Sequence, residues 1–273
     1  MNNWKANQNK LYSLVDRHGV SNLFAHSDII KSIEFIDTSK VKNQSGLINA
    51  HCELLNSLNT NLYLPHFNYD FPKRKQFDYD NFISQVGVLS EYYSEKYESH
   101  KTFDPMFSVI TTSPYSIYCK HANEVDSFSK DGIFSRFSTK NSAILFYGCN
   151  LSSLTFIHYV ETITSSPYRY RKSIKGESIF KGDVAPLTFK SHFRPLVGNV
   201  SYDWNKIEQD LLEEGIYQQI SQSTSLLLSK EFFDYALVRL QEEPLYFLQA
   251  DSKRWVQDKL DILGRPFLVE DFE

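Results

Sequence analysis

The chain has 273 residues, close to the upper limit for one compact domain, and 41% of them are apolar, enough for a sizeable core. Its 29 lysines and arginines against 33 aspartates and glutamates give a net charge of −4, which argues against a nucleic-acid-binding protein. No apolar run is long enough for a transmembrane segment, no signal segment is recognisable, and the three scattered cysteines offer no metal spacing. We therefore expect a cytoplasmic protein with no bound metal.

The first part of the chain predicts a layered α/β arrangement. In order, the predicted elements are a helix over 8–17, a short helix capped by Asp28, a strand over 34–37, a polar turn over 38–46, a helix over 47–58 and a strand over 62–64. A strand–helix–strand order of this kind is typical of parallel pairing in an α/β fold.

The rest of the chain continues the alternation. The predicted elements are a long loop over 67–79, a helix over 82–97, a strand over 107–110, a buried strand over 143–147, a helix over 155–162, strands and turns over 169–193, and helices over 206–240 and 251–262. No repeat or linker is visible. The expectation is a single domain over 1–273, with a helical C-terminal elaboration over 200–273.

The segment Leu154–Glu161 places a histidine and a carboxylate three residues apart. On a helix, His158 and Glu161 would share one face. A carboxylate beside an imidazole fixes its tautomer and raises its basicity, which suits a general base. Acyl transfer to an amine needs such a base because the amine must lose a proton. The same spacing also occurs in ordinary surface pairs, and spacing alone does not separate the two readings.

Three further segments carry polar groups at places where ligands often bind. Asp104 begins an Asp-Pro turn before the strand that holds Ser108, and an ordinary turn is the alternative reading. Rings alternate with hydrogen-bonding groups over 65–71, a composition that suits a sugar, or else a loop whose rings pack inward. The hydroxyls and amides of Asp37–Ser39 follow a predicted strand and could hold a phosphate or a carbonyl oxygen.

Several common chemistries leave no trace in the sequence. There is no Gly-x-Gly-x-x-Gly or Gly-x-x-x-x-Gly-Lys-Ser/Thr loop, no His-Glu-x-x-His zinc motif and no Gly-x-Ser-x-Gly elbow. Cys52 and Cys149 stand outside any Cys–His motif, so a covalent acyl-enzyme is not expected.

Taken in chain order, these segments resemble the aminoglycoside 3-N-acetyltransferase family over about residues 28–176. The resemblance comprises Asp37–Ser39, Leu64–Phe71, Ser84–Tyr93, Asp104–Ser108 and Thr155–Glu161. No single motif is decisive, but five in the family's order are specific.

The resemblance implies a layered α/β/α fold, with acetyl-coenzyme A as co-substrate and direct attack of the substrate amine on its thioester. His158 matches the family's base, Glu161 its carboxylate, and Asp104 joins this catalytic set. Coenzyme contacts are implied for Asp37, Thr38, Ser39 and Ser108, with Ser108 near the thioester. Substrate binding is assigned to Asn68, Tyr69, Asp70 and Glu91, where acidic groups would attract a protonated amine.

Two departures modify the expected substrate. Drug-modifying members usually carry histidine at the positions of Asp37 and Asp104. The Asp-Pro pair and the run over 67–71 instead resemble relatives found with polysaccharide and O-antigen synthesis. An amino sugar linked to a nucleotide or lipid is therefore expected. Arg169 and Arg171 would meet its phosphates or those of coenzyme A, and a basic strand facing water is the alternative.

Three other functions stay open at this point. They are an aminoglycoside-resistance enzyme, a non-catalytic binding protein on the same fold, and an acyl-thioester hydrolase. A resistance assay in cells, a thiol-release assay, and coenzyme A release without any amine would distinguish them.

Overall fold

A computed structural model describes residues 3–113 and 116–272. Its main sheet has seven strands within this range, in the spatial order β10 (Tyr217–Gln219), β11 (Thr224–Leu228), β7 (Ser142–Tyr147), β1 (Asn22–Ser27), β2 (Asn61–Pro65), β5 (Val109–Thr111) and β4 (His100–Lys101). The central strands β7, β1 and β2 are parallel, and the flanking strands are antiparallel. The three parallel strands are buried almost throughout, as expected for strands covered on both faces.

Helices cover both faces of this sheet. They are α1 (Trp4–Arg17), α2 (Gln44–Asn56), α4 (Leu89–Lys96), α5 (Ile157–Ile163), α6 (Trp204–Glu213), α7 (Ser229–Glu242) and α8 (Ala250–Leu263), whereas the short helix α3 (Phe71–Arg74) packs in a third core with Phe77 and Phe189. Alternate residues of a strand point to opposite faces. In β7, Ala143 and Leu145 join the core that includes α1, α2 and α4, whereas Ile144 and Phe146 join the core that includes α5, α6 and α7. The predicted layered α/β/α fold is confirmed.

A second sheet packs beside the first and brings the chain back towards α5. Its strands are, in order, β3 (Gln76–Asp78), β8 (Tyr170–Phe180), β9 (Asp183–Phe193) and β6 (Glu124–Asp126). Strands β8 and β9 form a hairpin whose two turn residues, Lys181 and Gly182, both have positive φ. Such turns match the twist of paired strands. Because β8 begins soon after α5 ends, the start of the hairpin lies next to α5.

Several sequence predictions of secondary structure are wrong. The first strand of the sheet is β1 rather than the predicted strand over 34–37; residues 31–35 form a 3₁₀ helix, and Asp28 accepts the backbone N–H groups of Ile30 and Lys31 where β1 ends. The predicted loop over 67–79 contains α3 and β3. The predicted helix over 82–97 begins only at α4, since Gly87 has φ of 86° just before it. The C-terminal part is not purely helical, because Gly215 follows α6 with φ of 70° and β10 and β11 then join the main sheet.

None of the helices in the described ranges combines the length and the apolar character needed to cross a membrane.

Candidate active site

A cavity of about 730 Å³ opens at the carboxyl ends of the parallel strands. His26 and Ser27 come from the end of β1, Pro65 from the end of β2, and Cys149 from the turn after β7. His158 contributes from the first turn of α5. Ligands of open α/β sheets bind at this edge because loops of different strands converge there.

His158 and Glu161 meet as their spacing predicts. Nδ1 of His158 lies 3.1 Å from Oε2 of Glu161, and the ring of Phe128 packs edge-on against the imidazole at 5.5 Å between centroids. The His158 side chain is 28% exposed, while that of Glu161 is fully buried. No hydrogen-bond partner of Nε2 occurs among the described residues. The imidazole is thus held at Nδ1 and unengaged at Nε2.

Glu161 is ionised because an arginine and three hydrogen-bond donors surround its buried carboxylate. The hydroxyls of Tyr168 and Tyr202 each donate to Oε1 at 2.7 Å. Nε of Arg169 lies 2.5 Å from Oε2 without the alignment of a hydrogen bond, so this contact is chiefly Coulombic. Burial alone would raise the pKa of Glu161, but Arg169 and the hydrogen bonds with His158 and Tyr168 lower that pKa to about 2.

Arg169 is the cation of this buried network. Its Nη1 donates to the backbone oxygen of His192 at 3.0 Å, and Nη2 donates to the Tyr202 hydroxyl at 2.6 Å. Nη2 also lies 2.9 Å from Nδ1 of His158. With its side chain 6% exposed and paired inside the protein, Arg169 serves Glu161 rather than a ligand phosphate. Arg171 likewise pairs with Asp126, away from the cavity.

The network favours one tautomer of His158. An ionised carboxylate can only accept, so a proton on Nδ1 lets His158 donate to Glu161 and leaves the Nε2 lone pair free. Arg169 Nη2, which can only donate, competes for Nδ1 at 2.9 Å, but it has the Tyr202 hydroxyl as another acceptor, whereas the Glu161 oxygen needs a donor. Burial and Arg169 lower the pKa of His158 below its usual value, outweighing Glu161. The imidazole is therefore neutral near pH 7.

Other buried histidines predict how stability depends on pH. Burial lowers the pKa of His26 to about 3 and that of His51 and His192 to about 4. Below about pH 6.5 the unfolded chain binds protons that the folded chain does not. We expect the free energy of unfolding, measured by urea titration, to fall by about 1.4 kcal/mol per pH unit for each such histidine between about pH 6 and pH 4.5. A flat profile would contradict this.

The predicted substrate residues are only partly brought to the cavity. Tyr69 lines it and is 48% exposed. Asn68 donates to the backbone oxygen of Ile83, and Glu91 accepts the backbone N–H of Ser84. Asp70 pairs with Arg74. Asn68, Asp70 and Glu91 therefore hold local structure and do not line the cavity.

Asp104 and Ser108 hold the loop between β4 and β5. The buried Asp104 carboxylate accepts the backbone N–H groups of Met106 and Phe107 and the hydroxyl of Ser127. It lines a separate cavity of about 500 Å³ that does not include His158. Ser108 is fully buried and donates to the backbone oxygen of Thr102 at 2.7 Å. The structure does not bring either side chain together with His158 at the cavity wall.

The predicted coenzyme turn also lies elsewhere. Asp37 caps a 3₁₀ helix over Thr38–Lys40, and its carboxylate accepts from the backbone N–H and the hydroxyl of Ser39. Asp37 faces a shallow groove against α1 and α2, and none of Asp37, Thr38 and Ser39 lines the main cavity. The expected strand-end position belongs instead to Ser27, the last residue of β1.

Several residues of the site were missed by the sequence reasoning, among them Arg194, which lines the cavity just after β9. His26 and Ser27 end an apolar run, and Asp28 immediately after them was a visible stop signal. Tyr202 and Trp204 line the cavity from the C-terminal third, where no motif pointed to them.

The fold and the site are those of an α/β enzyme: a twisted sheet with a cavity at its parallel strand ends and a neutral histidine backed by a buried carboxylate. A family model described as aminoglycoside 3-N-acetyltransferase matches residues 57–241, more than half of the chain. The chain therefore belongs to this family and is an N-acetyltransferase, as the resemblance predicted. The match reaches well past residue 176, where the recognisable motifs end.

Solved structures share the fold. The chain is 14% identical to aminoglycoside acetyltransferase AAC(3)-Xa, with a TM-score of 0.65 and coverage of 86% of this chain and 92% of that chain. The identity to AAC-IIIb, solved as a binary complex with CoASH, is 13%, with a TM-score of 0.65 and coverage of 86% of this chain and 96% of that chain. The identity to the YokD protein from Bacillus subtilis is 13%, with a TM-score of 0.57 and coverage of 86% of this chain and 92% of that chain. No curated protein sequence matches the chain.

Proposed function

We propose that the protein transfers an acetyl group from acetyl-coenzyme A directly to the amine of an amino sugar, with His158 as general base. One observation carries the proposal: the imidazole borders the cavity while its Nδ1 faces the buried, ionised Glu161. This arrangement supplies a neutral, oriented base at the cavity wall. Membership in the N-acetyltransferase family supplies the reaction class.

The proposed reaction has one chemical centre and returns the enzyme unchanged. The substrate nitrogen attacks the thioester carbonyl while Nε2 of His158 takes one of its protons. The tetrahedral intermediate collapses, the carbon–sulfur bond breaks, and coenzyme A leaves with the sulfur electron pair. The imidazolium then returns its proton to the thiolate or to solvent. Glu161 stabilises the transient imidazolium because the two groups are in contact.

Coenzyme A is assigned to the cavity and to the groove that continues it. This groove of about 590 Å³ shares Ser27, Cys149 and Ser153 with the cavity, so the two form one elongated depression. A relative solved with CoASH supports this ligand class. We propose that hydroxyl and backbone groups of Ser152–Thr155 polarise the thioester, since they line the cavity beside His158. These groups take the role expected of Ser108, whose hydroxyl instead donates to the backbone oxygen of Thr102.

The amino sugar is assigned to the aromatic part of the cavity. Tyr69, Tyr202 and Trp204 all line it, and such rings pack well against the apolar faces of sugars. We propose a nucleotide- or lipid-linked amino sugar of polysaccharide synthesis, acetylated in the cytoplasm by a single domain spanning residues 1–273. The three cysteines are free, which fits a reducing compartment.

The pH dependence of the reaction should reflect His158. Because burial and Arg169 lower its pKa, the neutral, active form persists below pH 6.5. The acidic limb of kcat/KM for acetyl-coenzyme A, measured at saturating acceptor, is therefore expected to have its midpoint below pH 6.5. An acidic limb centred above pH 7 would contradict a depressed pKa at the base.

The function is tested with acetyl-coenzyme A and a panel of amines, by following thiol release and identifying the product by mass. The panel contains nucleotide-linked amino sugars, simple amino sugars and aminoglycosides, and a reaction without amine measures hydrolysis. Amine-dependent release with an N-acetylated product supports the proposal. Release without amine would indicate a thioesterase. Coenzyme A binding with no turnover on any amine would favour a non-catalytic binding protein.

A further inference from the structure

The charges around the cavity distinguish classes of acceptor. Among the described residues that line it, there is no aspartate or glutamate, and the cations are Arg169, Arg194 and, when protonated, the histidines. A cavity built for a molecule with several ammonium groups needs carboxylates to replace the water that those groups lose. The lining of this cavity provides none.

Three carboxylates close to the lining are engaged by other groups of the protein. Glu161 is matched by Arg169 and two tyrosine hydroxyls. Asp28, in the adjoining groove, accepts two backbone N–H groups and pairs with Lys31. Asp203 accepts the backbone N–H of Lys206 as the cap of α6. Within the lining itself, Arg169 is paired with Glu161, and Arg194 is the arginine that no described carboxylate pairs with.

Arg194 lines the cavity and has no carboxylate partner among the described residues. It lies just after β9, is exposed, and forms no ion pair within the described ranges. Its guanidinium carbon lies 5.9 Å from the centroid of the Tyr202 ring, and that centroid lies 6.4 Å from the ring of His158. His158 and Arg194 therefore both lie close to the Tyr202 ring and line the same cavity.

We infer that Arg194 binds an anionic group of the acceptor, the phosphate of the proposed nucleotide- or lipid-linked amino sugar. This inference rests on the proposed acyl transfer and adds to it the residue that recognises the charge of the substrate. The amine would lie at His158, the sugar body against Tyr202, and the anion at Arg194. A guanidinium is suited to this role because its planar donors match phosphate and carboxylate oxygens in pairs. A polycationic aminoglycoside would meet the same cation without any carboxylate to balance its charge.

Coenzyme A also carries phosphates that could bind Arg194. The following variants distinguish these phosphates from an anionic group on the acceptor. Arg194→Gln removes the charge and keeps a polar side chain of similar length. Arg171→Gln is the matched control, because Arg171 is an exposed arginine paired outside the cavity. Affinities for glucosamine, a phosphate ester of glucosamine, and kanamycin are measured by calorimetry. KM is compared for acetyl-coenzyme A and acetyl-pantetheine, which lacks the nucleotide phosphates.

We expect the phosphate ester to bind about 10- to 100-fold more tightly than glucosamine, the range of a charge-assisted hydrogen bond. Arg194→Gln should abolish that advantage, and Arg171→Gln should retain it. Equal affinity for the ester and glucosamine, or tighter binding of kanamycin, would overturn the inference. It would also be overturned if Arg194→Gln raised KM for acetyl-coenzyme A alone and left acceptor affinity unchanged. Charge-dependent binding without any transfer would instead count against the proposed function only.

Discussion

Replacing His158 by alanine is expected to lower kcat/KM about 10²- to 10⁴-fold, the usual contribution of a general base. The side chain borders the cavity, its Nε2 has no partner among the described residues, and its Nδ1 is oriented by Glu161. Without it, the attacking amine must lose its proton to water. The Glu161–Arg169 pair and the tyrosine hydroxyls remain in contact, so the variant should stay folded with nearly unchanged affinity for coenzyme A.

The control for this variant is another histidine outside the site. His100 lies on the edge strand β4 and does not line the cavity, so His100→Ala should keep nearly full activity. Steady-state kinetics, with thermal unfolding of each variant, separates lost chemistry from lost fold. Undiminished turnover by a folded His158→Ala protein would exclude this histidine as the base.

Arg169→Met is expected to destabilise the protein by about 3–5 kcal/mol, as is typical when one partner of a buried ion pair is removed. The substitution leaves the Glu161 carboxylate fully buried with only the tyrosine hydroxyls and His158 to compensate it. It also removes the donor to the backbone oxygen of His192, which ties α5 to the end of β9. The free energy of unfolding from urea titration measures the loss.

Two comparisons show whether this loss reflects the buried charge. Arg74→Met removes an arginine whose side chain is 71% exposed and that pairs with the partly exposed Asp70, and should cost less than about 1 kcal/mol. The double variant Glu161→Gln with Arg169→Met should lose less than the sum of its single variants, because neither charge is then left alone. Strict additivity of the two substitutions would show that the pair is not coupled.

The part of the site that the sequence predicts is local. His158 and Glu161 are three residues apart on one helix, so helical periodicity alone brings them together. The buried strand β7 and the helix α2 were also recognisable from apolar runs and spacing. Such buried strands indicate a layered fold. Each strand places alternate side chains in the cores on its two faces, and helices must cover both of these cores.

The remainder depends on contacts between distant segments. Arg169 and Tyr202 reach Glu161 only because the β8–β9 hairpin and the segment before α6 pack against α5. The position of a motif in the sequence also does not show whether its polar side chains are available to a ligand or already hydrogen-bonded within the protein. Asp104 and Ser108 read as site residues in the sequence, yet their polar atoms hold the backbone of their own loop. The charges around the cavity could not be predicted from the sequence either, because the residues that line it come from distant segments.

The most direct test of the central claim is the release of coenzyme A from acetyl-coenzyme A, measured side by side for the wild-type protein and His158→Ala, with and without an amino sugar. The account predicts release that requires the amine, yields the N-acetylated sugar and falls at least about 100-fold in the variant. Release that is independent of the amine, or equal in both proteins, would contradict direct transfer with His158 as the base.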